Sequence, residues 1–363
     1  MSEIRSVPWG ECLLEERSDP EVERRIRETT GKRVSGVNRR FMPAPWVAEA
    51  MVTLDARILT RVHLDHDLAD LAGLVISQDN SCRYCYAAQR TLLRVVGFRE
   101  DRIVRLEQDL SLGGLRDSEV AAADFARRIS RASPLTVPVD AKPLRRVGFD
   151  ESAIRELTAL AALNVFFNRI STMVALSPEA FERLPDRWWV RWLRPLVAPL
   201  ARLLRRRGKP EALATAHRTG PFSSTVIALD GLPFARELRG ILDAMVASSI
   251  LTLRCKGLMF AVVARALGCE RTLQEAIRLA ARDGADEQFV RNAVEHLSAP
   301  GVTAEEALLV PFARETVWYE SPRLQERTRM VAAKLRPDQF VEAVFVLSLA
   351  NALCRLDAAL LGP

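Results

Sequence analysis

The feature that most limits how this chain can fold is an internal repeat: three short anchors recur, in the same order, in its two halves. Leu71 to Ala88, LAGLVISQDNSCRYCYAA, is answered by Ile241 to Leu258, ILDAMVASSILTLRCKGL, which places Cys255 170 positions after Cys85. Phe125-Ala126-Arg127 returns as Phe312-Ala313-Arg314, 187 positions later, each followed by Ser-Pro, at Ser133-Pro134 and Ser321-Pro322. Glu156 and Arg169 pair with Glu342 and Arg355, both 186 positions later, inside two apolar stretches. A tandem duplication with an insertion between the first two anchors of the second copy explains the order, and a loop or short helix absorbs such an insertion at little cost.

The repeating unit reads as helical. Apolar residues such as Leu68, Leu71, Ala72, Val75 and Ile76 recur at helical spacing, alternating β-branched runs are nearly absent, and Ala, Leu and Arg dominate. The expected fold class is all-α. The expected organisation is an N-terminal extension over 1–40, a first domain over 41–180, a connector over 181–215 and a second domain over 216–363, the two domains forming an intramolecular pseudo-dimer.

Composition narrows the function. Apolar runs are broken by Arg, Asp or Glu before reaching the ~20 residues of a spanning helix, so no transmembrane segment is expected. The start, Met1-Ser2-Glu3-Ile4-Arg5, has no basic stretch leading into an apolar one, and a cytoplasmic protein is expected. The net charge of +6 does not indicate a nucleic-acid partner, because acidic residues are interspersed throughout. One stretch departs from this mixing. Residues 187–207, RWWVRWLRPLVAPLARLLRRR, set three tryptophans at one end and an arginine cluster at the other, the composition of a segment lying on anionic lipid. Pro195 and Pro199 would break a long helix there, so the alternative is Trp and Leu packed on a domain with the Arg side chains solvated.

Six cysteines in a long chain without secretory signals do not read as a disulfide framework. Only Cys82 and Cys85 are paired by spacing; Cys12, Cys269 and Cys354 read as packing residues, and His217 and His296 have no nameable partner. Asp79, Asn80 or Ser81 can cap a helix in which Cys82, Cys85 and Gln89 share a face. A Cys-x-x-Cys at a helix N-terminus can hold a thiolate against the helix dipole, with Arg83 and Arg90 expected to add positive potential. Such a thiolate can attack a peroxide, and its neighbour can close the disulfide. The same residues admit two other readings. His63-x-x-His66 with Cys82-x-x-Cys85 has the ligand types of a zinc site, and the two cysteines could equally be half-buried core thiols.

The region around Cys82 resembles the alkylhydroperoxidase D and carboxymuconolactone decarboxylase family. Its peroxidase members carry an acid, eleven residues, Cys-x-x-Cys, three residues and a histidine. Here the acid is Asp70, the cysteines are Cys82 and Cys85, and Gln89 stands at the histidine position. The Leu-Asn-Val-Phe-Phe-Asn-Arg stretch over 163–169 is similar to the family's late helix. The resemblance implies that Cys85 is the peroxidatic thiol and Cys82 the resolving thiol that meets an external dithiol reductant. It also implies that Asp70 holds a proton or orients water, Gln89 assists by hydrogen bonding, no dissociable cofactor is needed, and the chain forms homo-oligomers. Gln89 cannot accept a proton at neutral pH and Asp70 is one methylene shorter than the family's Glu, so the relay is altered, with His63 or His66 as substitute bases. In the second copy Thr252, Met259 and Gly240 stand opposite Cys82, Gln89 and Asp70, leaving Cys255 alone beside Arg254 and Lys256. That copy reads as a structural partner. The family's lactone decarboxylase chemistry is a third reading, and a catalytically degenerate scaffold is the main alternative to an enzyme.

Overall fold

The structure, a computed structural model, describes residues 3–58, 60–108, 114–131, 140–183, 207–318 and 320–362. Among the described residues the architecture is all-helical, with two isolated bridge pairs and no strand. Its longer helices are, in chain order, α1 (Pro20–Thr30), α2 (Pro45–Ile58), α3 (His66–Asp79), α4 (Arg83–Val95), α5 (Glu100–Gln108), α6 (Asp117–Ser130), α7 (Glu151–Met173), α8 (Pro233–Ala247), α9 (Leu253–Leu267), α10 (Glu270–Ala281), α11 (Glu287–His296), α12 (Ala304–Glu315), α13 (Ser321–Ala332) and α14 (Pro337–Leu360).

Local chemistry fixes where these helices begin. Asp65 accepts hydrogen bonds from Asp67 and Leu68 N–H at the start of α3, and Asp150 accepts one from Ala153 N–H at the start of α7, 2.7 Å. Thr303 and Glu306 form a reciprocal capping box on α12, with Glu306 accepting from Thr303 N–H at 2.8 Å. In α6 the carboxylate of Glu119 likewise accepts from Arg116 N–H, 2.8 Å.

The centre of the molecule is the contact between α7 and α14. Every residue from Gln339 to Asp357 is buried, so α14 is apolar around most of its circumference rather than along one stripe. Phe166 of α7 meets Phe345 of α14 edge to face, with ring centroids 5.1 Å apart, and Trp46 of α2 meets Phe345 in the same way at 5.1 Å. By length and hydropathy α14 could cross a membrane, with a mean hydropathy of 1.6 over its most apolar window; 83% of that window is buried inside the protein. Glu342 and Arg355 interrupt its apolar run short of spanning length, as expected. Its apolarity follows from lying in the core, where Glu342, Arg355 and Asp357 are buried as well.

Residues expected to form a polar extension are drawn into this core. Val22 and Ile26, one turn apart on α1, are buried in the cluster that also holds α7, α9 and α14. Trp9 Nε1 donates to Leu176 O at 2.9 Å, Leu13 N to Val174 O at 3.0 Å, and Gly10 N to Gln325 Oε1 of α13 at 2.9 Å. The N-terminal segment is thus tied to elements from both ends of the chain. Residues 184–206, most of the connector and of its Trp/Arg stretch, lie outside the described residues.

Helices α3 and α4 form an antiparallel hairpin that positions the cysteines. A Cβ on Gly73 would come within 2.8 Å of the Gln89 side chain, so glycine lets the helices approach at that level. Gly73 opposite Gln89 sets Ser77 opposite Cys85. The turn between the helices uses Ser81 in the left-handed region, φ 50°, and its carbonyl accepts from Ser321 Oγ, the first residue of α13, at 2.9 Å.

Candidate dithiol site

Cys82 is itself the N-cap of α4. Its sulfur accepts from Cys85 N–H at 3.4 Å, while its own N–H donates to Ser77 O at 3.1 Å. The capping position expected for Asp79, Asn80 or Ser81 therefore belongs to the thiol, and Asp79 instead pairs with Arg127 of α6 at 2.8 Å. Cys85 Sγ lies 3.6 Å from Ser171 Oγ of α7. Both cysteines are free and buried, Cys82 with 0% and Cys85 with 8% of its surface exposed.

The surroundings separate the two sulfurs electrically. Burial pushes the Cys82 thiol up, but hydrogen bonds from the Cys85 thiol and N–H, the Thr172 hydroxyl and the Tyr84 N–H outweigh it, and the net direction is down. Burial pushes the Cys85 thiol well above the ordinary range, and its bond to Cys82 and the charge there push it further; Ser171 opposes weakly. Sequence comparison gave the attacking role to Cys85. The hydrogen bonds favour the thiolate on Cys82, because donors converge there while Cys85 serves as one of them.

The helix facing the pair carries a polar stripe that went unnoticed in the sequence. Asn164, Asn168, Ser171 and Thr172 fall at i, i+4, i+7 and i+8 of α7, and all four are buried. Asn168 Nδ2 donates to Asn164 O at 2.6 Å and reaches Ser77 Oγ at 3.5 Å. Polar residues at helical spacing in an otherwise apolar stretch were the available signal. The side-chain oxygens of Asn38, Gln89 and Asn168, and the whole Asn80 amide, are buried without a hydrogen-bond partner among the described residues. Buried unpaired polar groups cost about 1–3 kcal/mol each, and Asn80 and Gln89 flank the two cysteines in the chain.

A second unpredicted group is Asp55 of α2. Asn38 Nδ2 donates to its carboxylate at 2.8 Å, yet burial prevails and raises its pKa to about 6. Its charge is felt by both Cys85 and Tyr84. A raised carboxylate pKa means that, between 3.8 and about 6, the folded state keeps a proton the unfolded chain has lost, so stability falls as the pH rises through that window. Asp55→Asn is expected to remove the penalty. Urea unfolding should show the variant more stable by about 2 kcal/mol well above pH 6 and no different in acid; a variant that is less stable at neutral pH contradicts this account.

The remaining expected residues are distributed as follows. Asp70 is buried on α3, about two turns before Ser77, and Gln89 of α4 packs against Gly73 of α3. His63 and His66 sit at the opposite end of α3, about 20 Å from Cys82, and His63 N–H donates to Glu156 Oε2 at 2.6 Å. Neither can act as a base for the thiols. Among the described residues no three His, Cys, Asp or Glu side chains converge as metal ligands, so the His63/His66/Cys82/Cys85 zinc set is not assembled. The helix is also less electropositive than its sequence implies: Arg83 pairs with Glu182 at 2.8 Å and Arg90 with Glu107 at 2.8 Å.

In the second half, Thr252 caps α9 by accepting from Cys255 N–H at 3.1 Å, the geometry Cys82 makes with Cys85. Burial pushes the lone Cys255 thiol up. Lys256 opposes that rise without overcoming it, being held 2.7 Å from Glu342 with both side chains fully buried, and Arg254 pairs with Glu306 at 2.7 Å. Cys269, expected only to pack, donates to Cys354 O at 3.2 Å, and both thiols are free. Compared with family models, curated proteins and solved structures, the chain has no match.

Proposed function

We propose that this chain is a thiol-dependent oxidoreductase of the peroxidase type, in which Cys82 and Cys85 cycle between dithiol and disulfide. The observation that carries the reading is the polarised pair itself. One sulfur caps a helix and accepts the backbone N–H of the other cysteine, one turn along, and the hydrogen bonds it gathers favour its thiolate. The substrate class is a small peroxide, and an external dithiol returns the electrons. The wider proposal is a tandem pair of alkylhydroperoxidase D-like domains. It draws support from the matching caps at Cys82/Cys85 and Thr252/Cys255, from Glu119 and Glu306 closing the starts of α6 and α12 alike, and from the central pairing of α7 with α14. Cytoplasmic location, homo-oligomers and a membrane contact through 187–207 belong to the same proposal.

Burial of both sulfurs favours a second reading, a scaffold that keeps the fold without turnover. Peroxide consumption by the reduced protein with a dithiol donor, read beside the mass of the Cys82/Cys85 peptide, separates the two. Disulfide formation and turnover support the enzyme. Thiols that stay reduced in excess peroxide leave the scaffold.

A further inference from the structure

A cleft of about 930 Å³ lies between α3, α4, α5 and the short helical turn Glu3–Ser6, and neither cysteine lines it. That volume falls in the range of about 300–1,000 Å³ typical of small-molecule sites. Seven of the ten residues along the cleft carry polar side chains, so it suits a hydrophilic molecule rather than a hydrocarbon tail. One wall is a fixed polar network. The Tyr86 hydroxyl and Arg90 Nε both donate to Glu107 Oε1, the second at 2.8 Å, and Gln78 Nε2 donates to Glu107 O at 2.7 Å. Arg90 Nη2 pairs with Glu100, which Arg94 also holds at 2.8 Å. The side chains of Arg90 and Glu107 are only 8% and 4% exposed, so packing and hydrogen bonds hold them in place before any ligand arrives. Arg90 Nη1 is left without a protein partner.

Arg5 completes the charge pattern. Its neighbour Ile4 is buried against Leu74, Tyr86 and Leu93, which fixes the turn on α3 and α4. Arg5 then lines the cleft with no hydrogen bond or ion pair to any described residue. Among the described side chains, Arg5, Arg90 and Arg94 stand against Glu100 and Glu107, which leaves one positive charge in excess.

We propose that this cleft binds a small hydroxylated organic acid, its carboxylate held by Arg5 and Arg90 Nη1 and its hydroxyls by Gln78, Ser81 and Gln108. A guanidinium presents its donors in the plane a carboxylate needs, and such charge-assisted bonds are about twice as strong as neutral ones. One carboxylate cancels the one charge in excess. The amides and the serine hydroxyl offer both donors and acceptors, which is what sugar-like hydroxyls require. The proposal uses neither sulfur and stands or falls apart from the dithiol reading.

The test is titration calorimetry on the full-length protein at low salt, with gluconate as the probe beside glucose, which lacks the charge, and octanoate, which lacks the hydroxyls. Gluconate is expected to bind one to one and about 10-fold or more tightly than either control, with an affinity that falls as salt is added. Arg5→Ala removes no contact within the protein and should fold normally, yet weaken gluconate binding by about 10-fold or more, while Arg5→Lys keeps part of the affinity. Circular dichroism of each variant checks the fold. Arg5→Ala binding gluconate as the wild type does overturns the proposal, as does glucose or octanoate binding as tightly as gluconate. A wild type that takes up no gluconate at millimolar concentration overturns it too.

Discussion

Glu342→Ala is expected to lower the stability of the protein by about 3–5 kcal/mol, read as a fall in the urea midpoint. Lys256 and Glu342 are both fully buried, 2.7 Å apart. The ammonium also donates to Met245 O and Ser248 O, at 2.8 and 2.7 Å, where α8 ends, and the carboxylate accepts from Ser248 Oγ at 3.1 Å. Burial pushes the Glu342 pKa up and the Lys256 pKa down, each opposed chiefly by the other partner. Removing the carboxylate leaves a cation in hydrocarbon with two carbonyls for company. Replacing both, as Lys256→Met with Glu342→Leu, should recover most of the loss, because an apolar pair of similar volume has no desolvation penalty to offset. A single variant within 1 kcal/mol of wild type would show that water reaches this pair.

Cys82→Ser and Cys85→Ser are expected to fail in different ways. Serine at 82 can still accept the Cys85 N–H and cap α4, so the fold should hold. With the thiolate gone, the remaining Cys85 thiol is held well above the ordinary range by burial and should be inert, and peroxide turnover should drop on the order of 10³-fold or more. Cys85→Ser keeps the thiolate and loses the resolving sulfur. Its Cys82 should react once and then gain one or two further oxygen atoms instead of closing a disulfide. If Cys82→Ser retains peroxide reactivity and Cys85→Ser does not, the roles are those implied by the family resemblance, and the hydrogen-bond argument for Cys82 is wrong.

The helical class and the special standing of Cys82 and Cys85 were legible in the sequence because both are short-range properties. Helical spacing of apolar residues is a matter of three or four positions, and a thiol in the first turn follows from Cys-x-x-Cys behind a turn. Pairing across the fold was not legible in this way. Nothing near Arg83 or Arg90 announces that Glu182 and Glu107 will neutralise them, 99 and 17 positions away. The hydroxyls at the sulfurs come from Ser171 and Thr172, and the carboxylate that acts on Cys85 comes from Asp55 on a helix the motif does not include.

By itself, then, the sequence determined the helical class and the pair of sulfurs one turn apart. Only the tertiary structure decided which sulfur the hydrogen bonds favour as thiolate, and that α14, apolar enough to span a bilayer, lies in the core. The reason is range. Periodicity and capping act within a turn or two, whereas burial, hydrogen-bond partners and charge pairing depend on which helices the packing brings together.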